Sequence, residues 1–327
     1  MKDAFQVDHQ MTDKGRSATG AEHPICIAVD WGTTRFRAHL VAEDGRLIDS
    51  VASDDGMSSV TDGGFEAVLS RMCSAWFGRF PGIPVLMAGM VGSRNGWREV
   101  PYVTCPAGLS EIATGMISLD IAGGSRIHIV PGLTTGDATA DVMRGEETQI
   151  LGVGVSDAVV ILPGTHSKWA IVRAGRVETF RTYMTGEFYA LLTHHSVLRL
   201  LAEPATDDLA ARAASRLGVE AAAGEGGLLN LAFHARTGVL AGRLKPQDVE
   251  PYLSGLLIGE EIAKAKQLVP PDLPLVLVAG GVIAGHYREA IEALGGTVRT
   301  VDPERTFVDG LLRIARHNKE TADVRAR

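Results

Sequence analysis

Apolar residues in this chain fall into short runs whose spacing alternates between that of strands and that of helices. Residues 25–29 are an uninterrupted apolar run closed by Asp30, and after Trp31-Gly32-Thr33-Thr34 the apolar positions Phe36, Ala38 and Leu40 recur at every second residue. This predicts a buried strand, a tight reversal and a half-buried strand, with Asp44-Gly45 turning the chain into a third. Residues 158–183 repeat the plan with a Gly164-Thr165 reversal and a turn at Gly175. Placing Gly32-Thr33 on Gly164-Thr165 superposes Ala38 on Ala170 and, across a two-residue gap, Gly45-Arg46 on Gly175-Arg176. Two hairpins of one design, one in each half, predict an α/β chain of two similar domains whose Gly-Thr turns face a shared cleft.

Between and after the hairpins the period changes. Residues 64–80 place Phe65, Val68, Leu69, Met72, Cys73 and Trp76 at helical spacing, and 84–88 and 127–130 read as short buried strands. From Ala138 onward, Ala140, Val142, Met143, Ile150 and Leu151 predict a helix with Asp137 at its entrance. Residues 186–201, 220–236 and 246–269 read as longer helices, followed by a buried strand over 273–279, a helix opening near His286, a strand over 297–301 and a terminal helix over 303–318.

Several of these junctions carry candidate chemistry. Asp30 emerges where a strand ends, and the Gly32-Thr33-Thr34 turn offers backbone N–H groups and hydroxyls to an anion. Residues 89–97, a glycine-rich loop with Ser93, Arg94, Asn95 and Trp97, directly follow a buried strand, where an α/β protein places ligand contacts. Asp137 reads equally as an ordinary helix N-cap. Gly280-Gly281 between strand and helix admits a flat ring or a phosphate. His194-His195 has no third ligand at recognisable spacing, and the chain lacks a G-x-x-x-x-G-K-[ST] phosphate loop.

Composition narrows the function classes. The 327 residues suffice for two cores, and a net charge of −7 without a basic run argues against a nucleic-acid partner. Cys26, Cys73 and Cys105 form no CxxC pair and suit a reducing cytoplasm. Residues 1–23 are polar and aperiodic and read as a disordered extension, and no apolar run is long enough to predict a membrane span.

The ordered set DWGTTRFRA, AGMVGSRNGWREVPYVTCPAG, PGLTTGDATADVMRGEETQ, LPGTHSKW and LVAGG resembles the sugar kinase, actin and heat-shock chaperone ATPase superfamily, and more closely its 2-dehydro-3-deoxygalactonokinase family. The resemblance implies an actin-like (ribonuclease H-like) fold, duplicated around a nucleotide cleft. Residues 24–152 with 303–318 would form a sugar-acid-binding domain and 153–302 a nucleotide-binding one. It implies ATP and Mg²⁺ as cofactors and a sugar acid as the small-molecule partner, in galactonate catabolism, and is compatible with a homodimer. Asp137 takes the position of the general base and Asp30 that of the Mg²⁺ carboxylate, acting through water. Gly32, Thr33, Thr34 and Arg35 match the first phosphate loop, Gly164, Thr165, His166 and Lys168 the second, and Gly280 with Gly281 the adenosine motif. Ser93, Arg94, Asn95 and Trp97 would line the sugar-acid pocket, with Arg94, Arg98 or Arg35 meeting the substrate carboxylate. A kinase of another sugar or of the gluconate epimer, and a non-catalytic nucleotide clamp, are the alternatives. A sugar-responsive repressor would need a helix-turn-helix that the short segment before Ile25 does not supply.

Overall fold

The computed structural model describes residues 23–136, 140–205 and 208–325. Asp137 and all but His23 of the expected N-terminal extension lie outside the described residues. The first half runs β1 (Pro24–Trp31), β2 (Phe36–Ala42), β3 (Leu47–Ser53), α1 (Phe65–Met72), α2 (Ser74–Arg79), β4 (Val85–Ala88), β5 (Val103–Thr104), α3 (Leu109–Thr114), β6 (Ile117–Asp120), β7 (Arg126–Ile129), β8 (Leu133–Thr134), β9 (Val142–Met143) and α4 (Glu146–Val153). The second runs β10 (Ala158–Leu162), β11 (Ser167–Arg173), β12 (Arg176–Tyr183), α5 (Thr185–His195), α6 (Asp208–Ala223), α7 (Leu228–Leu240), α8 (Val249–Ala265), β13 (Leu275–Val278), α9 (Gly281–Ala293), β14 (Val298–Val301) and α10 (Pro303–Arg325).

The two principal sheets share one topology. Their strand orders are β3-β2-β1-β4-β7-β6 and β12-β11-β10-β13-β14. Each begins with an antiparallel meander and continues with two parallel strands, β4 and β7 beside β1, β13 and β14 beside β10. The first adds β6 as an antiparallel edge. The fold class is therefore the expected one, two α/β units of the actin-like ATPase plan.

The continuous apolar runs of β1 and β10 follow from burial on both faces. Cys26 and Ala28 of β1, with Val160 and Leu162 of β10, point into one core between the sheets, which also holds Ile150 and Leu151 of α4 and Phe307, Val308 and Leu311 of α10. Ile27 and Val29 point the other way, onto Phe65, Leu69 and Trp76. In the second sheet Val159 and Ile161 pack on Ile258 and Ile262 of α8 and Tyr287 and Ile291 of α9. The α4–α10 pair between the sheets crosses almost backbone to backbone. A Cβ on Gly152 would come within 1.7 Å of the Thr306 carbonyl oxygen, and one on Gly310 within 1.9 Å of that of Thr148.

The structure corrects four expectations. No helix leaves Ala138: among the described residues the chain pairs β9 with β8 and turns helical only at Glu146, after Gly145 at φ +109°. Val142 and Met143 had mimicked helical spacing because a two-residue strand is too short to show its own period. The helix expected over 64–80 breaks at Cys73 into α1 and α2. The helix expected over 220–236 is two, α6 and α7, parted by Gly224-Glu225-Gly226-Gly227. The N-terminal part of α6 escaped because its inward face is alanine and glycine, which carry little hydrophobic contrast. Helix α9 begins at Gly281, one and a half turns before His286. No helix among the described residues is long and apolar enough to cross a membrane.

Candidate active site

Both reversals are braced from behind by the same device. In the β1–β2 turn the Gly32 N–H donates to the Arg35 carbonyl at 2.9 Å. The Gly32 carbonyl accepts the Met57 N–H, and the Thr33 carbonyl accepts the Ser58 N–H and hydroxyl, all at 2.8–3.0 Å. In the β10–β11 turn the Thr165 carbonyl accepts the Glu187 N–H at 3.0 Å from the first turn of α5, whose Glu187 carboxylate also binds the His166 ring. With these carbonyls occupied by protein donors, the exposed faces of Thr33, Thr34 and Thr165 present what an anion requires, N–H groups and hydroxyls.

A residue the sequence did not single out reaches the second hairpin. Glu146, the first residue of α4, places Oε1 3.1 Å from Lys168 Nζ of the second hairpin, while Oε2 accepts the Arg144 backbone N–H at 3.1 Å. Its charge reaches Asp30 at the end of β1 and raises that carboxyl's pKa, a smaller effect than burial. Lys168 is buried in the β11 ladder, and Nζ also donates to the His166 carbonyl at 2.8 Å. Asp30 itself is held by Arg37, its cross-strand partner, at 2.6 Å, which opposes the upward shift. Arg35, expected on the phosphate, is 75% exposed and loosely paired with Asp54 at 3.9 Å.

A buried carboxyl shapes this corner. Glu147 is fully buried, and its Oε2 accepts the Gly145 N–H at 2.6 Å. That bond fixes the left-handed Gly145, whose Cα faces Gly89 at the end of β4 so closely that a Cβ would lie 3.3 Å from the Gly89 Cα. Burial first, and then the neighbouring Glu146, push the Glu147 pKa up from 4.5 to about 8. The folded protein thus keeps this proton up to about pH 8, whereas the unfolded chain releases it above about 4.5. The group's contribution to stability is complete below the lower value and is lost as pH rises between the two, by up to about 1.4 kcal/mol per pH unit. Glu147→Gln should flatten the fall in melting temperature between pH 5 and pH 8; an unchanged slope would place the titration elsewhere.

Asp137 lies outside the described residues, but its flanks are defined. The nearest described strands on either side of it are β8 and β9. The Thr135 N–H donates to the Asp141 carbonyl at 3.1 Å, and the Asp141 N–H to Thr135 Oγ1 at 2.9 Å. Asp141 Oδ2 in turn accepts the Thr182 N–H of β12 at 2.9 Å, and Thr182 is the ladder partner of Lys168. The base of this loop is therefore tied to the strand position beside Lys168.

The Ser93–Trp97 loop is partly structural. Trp97 stacks on Phe65 at 6.1 Å between centroids and meets Trp31 edge-on at 6.4 Å, so one face of its ring belongs to the core. Ser93 Oγ donates to Met57 Sδ at 3.3 Å, linking this loop to the brace behind the first turn. Asn95 is exposed, as is Arg94, which pairs with Glu99 at 3.7 Å.

On the far side, Gly280 caps α9 and both Gly280 and Gly281 are exposed. A cleft of about 610 Å³ lies between α6 and α9, lined by Arg212, Arg216, His286 and Glu289. A second unforeseen residue ties this side to the β10–β11 turn. Buried Glu261 of α8 accepts Trp169 Nε1 and the Tyr287 hydroxyl, both at 2.7 Å, and the Thr185 hydroxyl. Tyr287 of α9 also bonds Ser167 at 3.0 Å, and Ser167 Oγ receives the Gly164 N–H at 3.4 Å. Burial raises the Glu261 pKa. An acid on the inward face of an otherwise apolar helix was the sequence signal for it.

Comparison with known proteins bears on this arrangement. A family model described as 2-keto-3-deoxy-galactonokinase matches residues 30–314. The chain is 36% identical over 292 residues to the Escherichia coli (strain K12) 2-dehydro-3-deoxygalactonokinase, a span covering 88% of this chain and 97% of that protein. A crystal structure from Sinorhizobium meliloti, assigned to the same kinase, superposes with a TM-score of 0.82 at 36% identity over 89% of this chain and 98% of that one. The activator of 2-hydroxyisocaproyl-CoA dehydratase from Clostridium difficile, solved with bound ADPNP, shares the fold at a TM-score of 0.50 and 11% identity, over 91% of this chain and 97% of that one.

Proposed function

The chain belongs to the 2-keto-3-deoxy-galactonokinase family, and on that premise we propose that it transfers the γ-phosphoryl group of ATP to the terminal hydroxyl of 2-dehydro-3-deoxy-D-galactonate, giving the 6-phosphate and ADP. The observation that carries this reading is the ion pair of buried Lys168 with Glu146 beside the second braced turn, with Asp30, at the end of β1, close enough to feel the Glu146 charge. Phosphoryl transfer asks for in-line positioning, neutralised charge and an acceptor for the alcohol proton more than for covalent chemistry.

In this reading the turns at Gly32-Thr33-Thr34 and Gly164-Thr165 grip the polyphosphate with N–H groups and hydroxyls. Lys168 places its ammonium on the path of the moving phosphoryl group, and Asp137 takes the proton as the sugar oxygen attacks. The nucleoside end lies along Gly280-Gly281 and enters the α6–α9 cleft. The sugar acid occupies the side formed by 24–152 with α10, facing the Ser93–Trp97 loop. Asp30 keeps Oδ1 clear of Arg37, and Glu146 stands nearby, a hard-oxygen donor set that suits Mg²⁺ shared with phosphate and water. When bound, Mg²⁺ supplies charge neutralisation on the transferring group.

A coupled ADP-release assay across sugar acids, glucose and glycerol tests the assignment. Turnover with 2-dehydro-3-deoxy-D-galactonate should exceed that with its gluconate epimer and with the neutral sugars. Comparable turnover on glucose or glycerol, with none on the keto-deoxy acids, would overturn it.

A further inference from the structure

A sugar-acid substrate brings a carboxylate, and the exposed arginines near the loop are poor candidates to receive it. Arg94 and Arg35 are 86% and 75% exposed and face Glu99 and Asp54, while Arg98 is also exposed. Charges so placed are screened by water and worth little.

Arg144, between β9 and α4, is the opposite case. Its side chain is buried, yet Nη2 alone has an acceptor, the Val100 carbonyl at 2.8 Å. Nε and Nη1 are shut away from solvent with no partner at all. The Tyr102 ring lies over the guanidinium at 4.3 Å, which favours the charge but accepts no N–H bond. Neither neighbouring acid helps: Glu146 turns to Lys168 and to the Arg144 backbone, and Glu147 to Gly145 and Thr148. A buried cation with two idle nitrogens is costly unless a ligand completes it.

Its location is suited to one. A Cβ on Gly92, the residue before Ser93, would lie 3.0 Å from Nη1, so the backbone leading into the Ser93–Trp97 loop leaves room for the guanidinium. Two residues later the chain reaches Glu146 and the phosphate corner. Resting on the reaction proposed above, we infer that Arg144 is the receptor for the substrate carboxylate and sets the preference for sugar acids over neutral sugars. Tyr102, 41% exposed, is the cover that must move aside to admit it.

The test compares 2-dehydro-3-deoxy-D-galactonate with the 3-deoxy-2-hexulose of the same configuration, in which CH₂OH replaces the carboxylate. Arg144→Gln should raise KM for the acid at least ~10-fold, the value of one charge-assisted hydrogen bond. KM for ATP and kcat/KM for the ketose should stay put, so that the preference for the acid collapses. Equal losses on both substrates, or an unchanged KM for the acid, would overturn the assignment. Should the variant not fold, wild-type protein carrying ¹⁵Nε-arginine answers the same question. Addition of the acid, and not of the ketose, should shift one Nε–H resonance that is missing from Arg144→Lys, and absence of such a shift refutes the role. If wild-type enzyme fails to phosphorylate the acid at all, the proposed reaction itself falls, a result distinct from any behaviour of Arg144.

Discussion

Lys168→Met is expected to lower kcat by about 10²- to 10³-fold, the range found when one preorganised donor to a developing anion is removed. Lys168 is 4% exposed in its side chain and held at two points, the His166 carbonyl at 2.8 Å and Glu146 at 3.1 Å. An ammonium so constrained costs no reorganisation when charge moves onto the phosphoryl oxygens. In the proposed reaction its loss would also leave Glu146 beside the polyphosphate without a counter-charge, so KM for ATP should rise as well. Glu146 is 27% exposed, so part of the pair's Coulomb energy is already screened and the loss of melting temperature should be moderate. The double variant Glu146→Gln with Lys168→Met separates the two roles. Stability should return because the lone carboxylate is gone, while kcat should remain low because the ammonium is still missing. Recovery of kcat in the double variant would reduce Lys168 to a counter-ion for Glu146.

What the chain disclosed in advance follows from the range of the forces involved. The hairpins were legible because strand alternation and Gly-Thr reversals are local, and duplication made each copy evidence for the other. Their bracing was not, since Met57, Ser58 and Glu187 reach the turn carbonyls through tertiary folding. That Arg37 meets Asp30 turns on register: the pairing of Trp31 with Phe36 puts Arg37 opposite the carboxylate. Glu146 and Arg144 were hidden by the spurious helix after Ala138, which buried them in a pattern of apolar spacing. Gly145 was the available warning, a residue that ends one element and opens another. The break between α6 and α7 was likewise visible as three glycines in four residues, 224–227, and was outweighed by flanking alanines and leucines.

Asp137→Asn should produce the larger fall, roughly 10² to 10⁴ in kcat, with KM for ATP changed little. The loop carrying it is anchored on one side by the Thr135–Asp141 pair of bonds and on the other by Asp141 to Thr182, beside Lys168. In the proposed reaction the residues flanking the base would thus be tied to the strand that carries Lys168. Asn preserves the size and the hydrogen-bonding reach of the side chain while removing its basicity, which confines the change to proton transfer. Asp137→Glu keeps the basicity and displaces it by one methylene, and should recover only part of the activity, because near-attack geometry is lost within about 1 Å. Asp141→Ala, which removes the bond to Thr182 but keeps the Thr135–Asp141 bonds and the base, should fall between wild type and Asp137→Asn. Steady-state kinetics on all three, with nucleotide affinity measured by calorimetry, decides the matter. A kcat for Asp137→Asn within a few-fold of wild type would show that the alcohol proton leaves by another group, and an Asp141→Ala variant slower than Asp137→Asn would shift the decisive role from the base to its anchor.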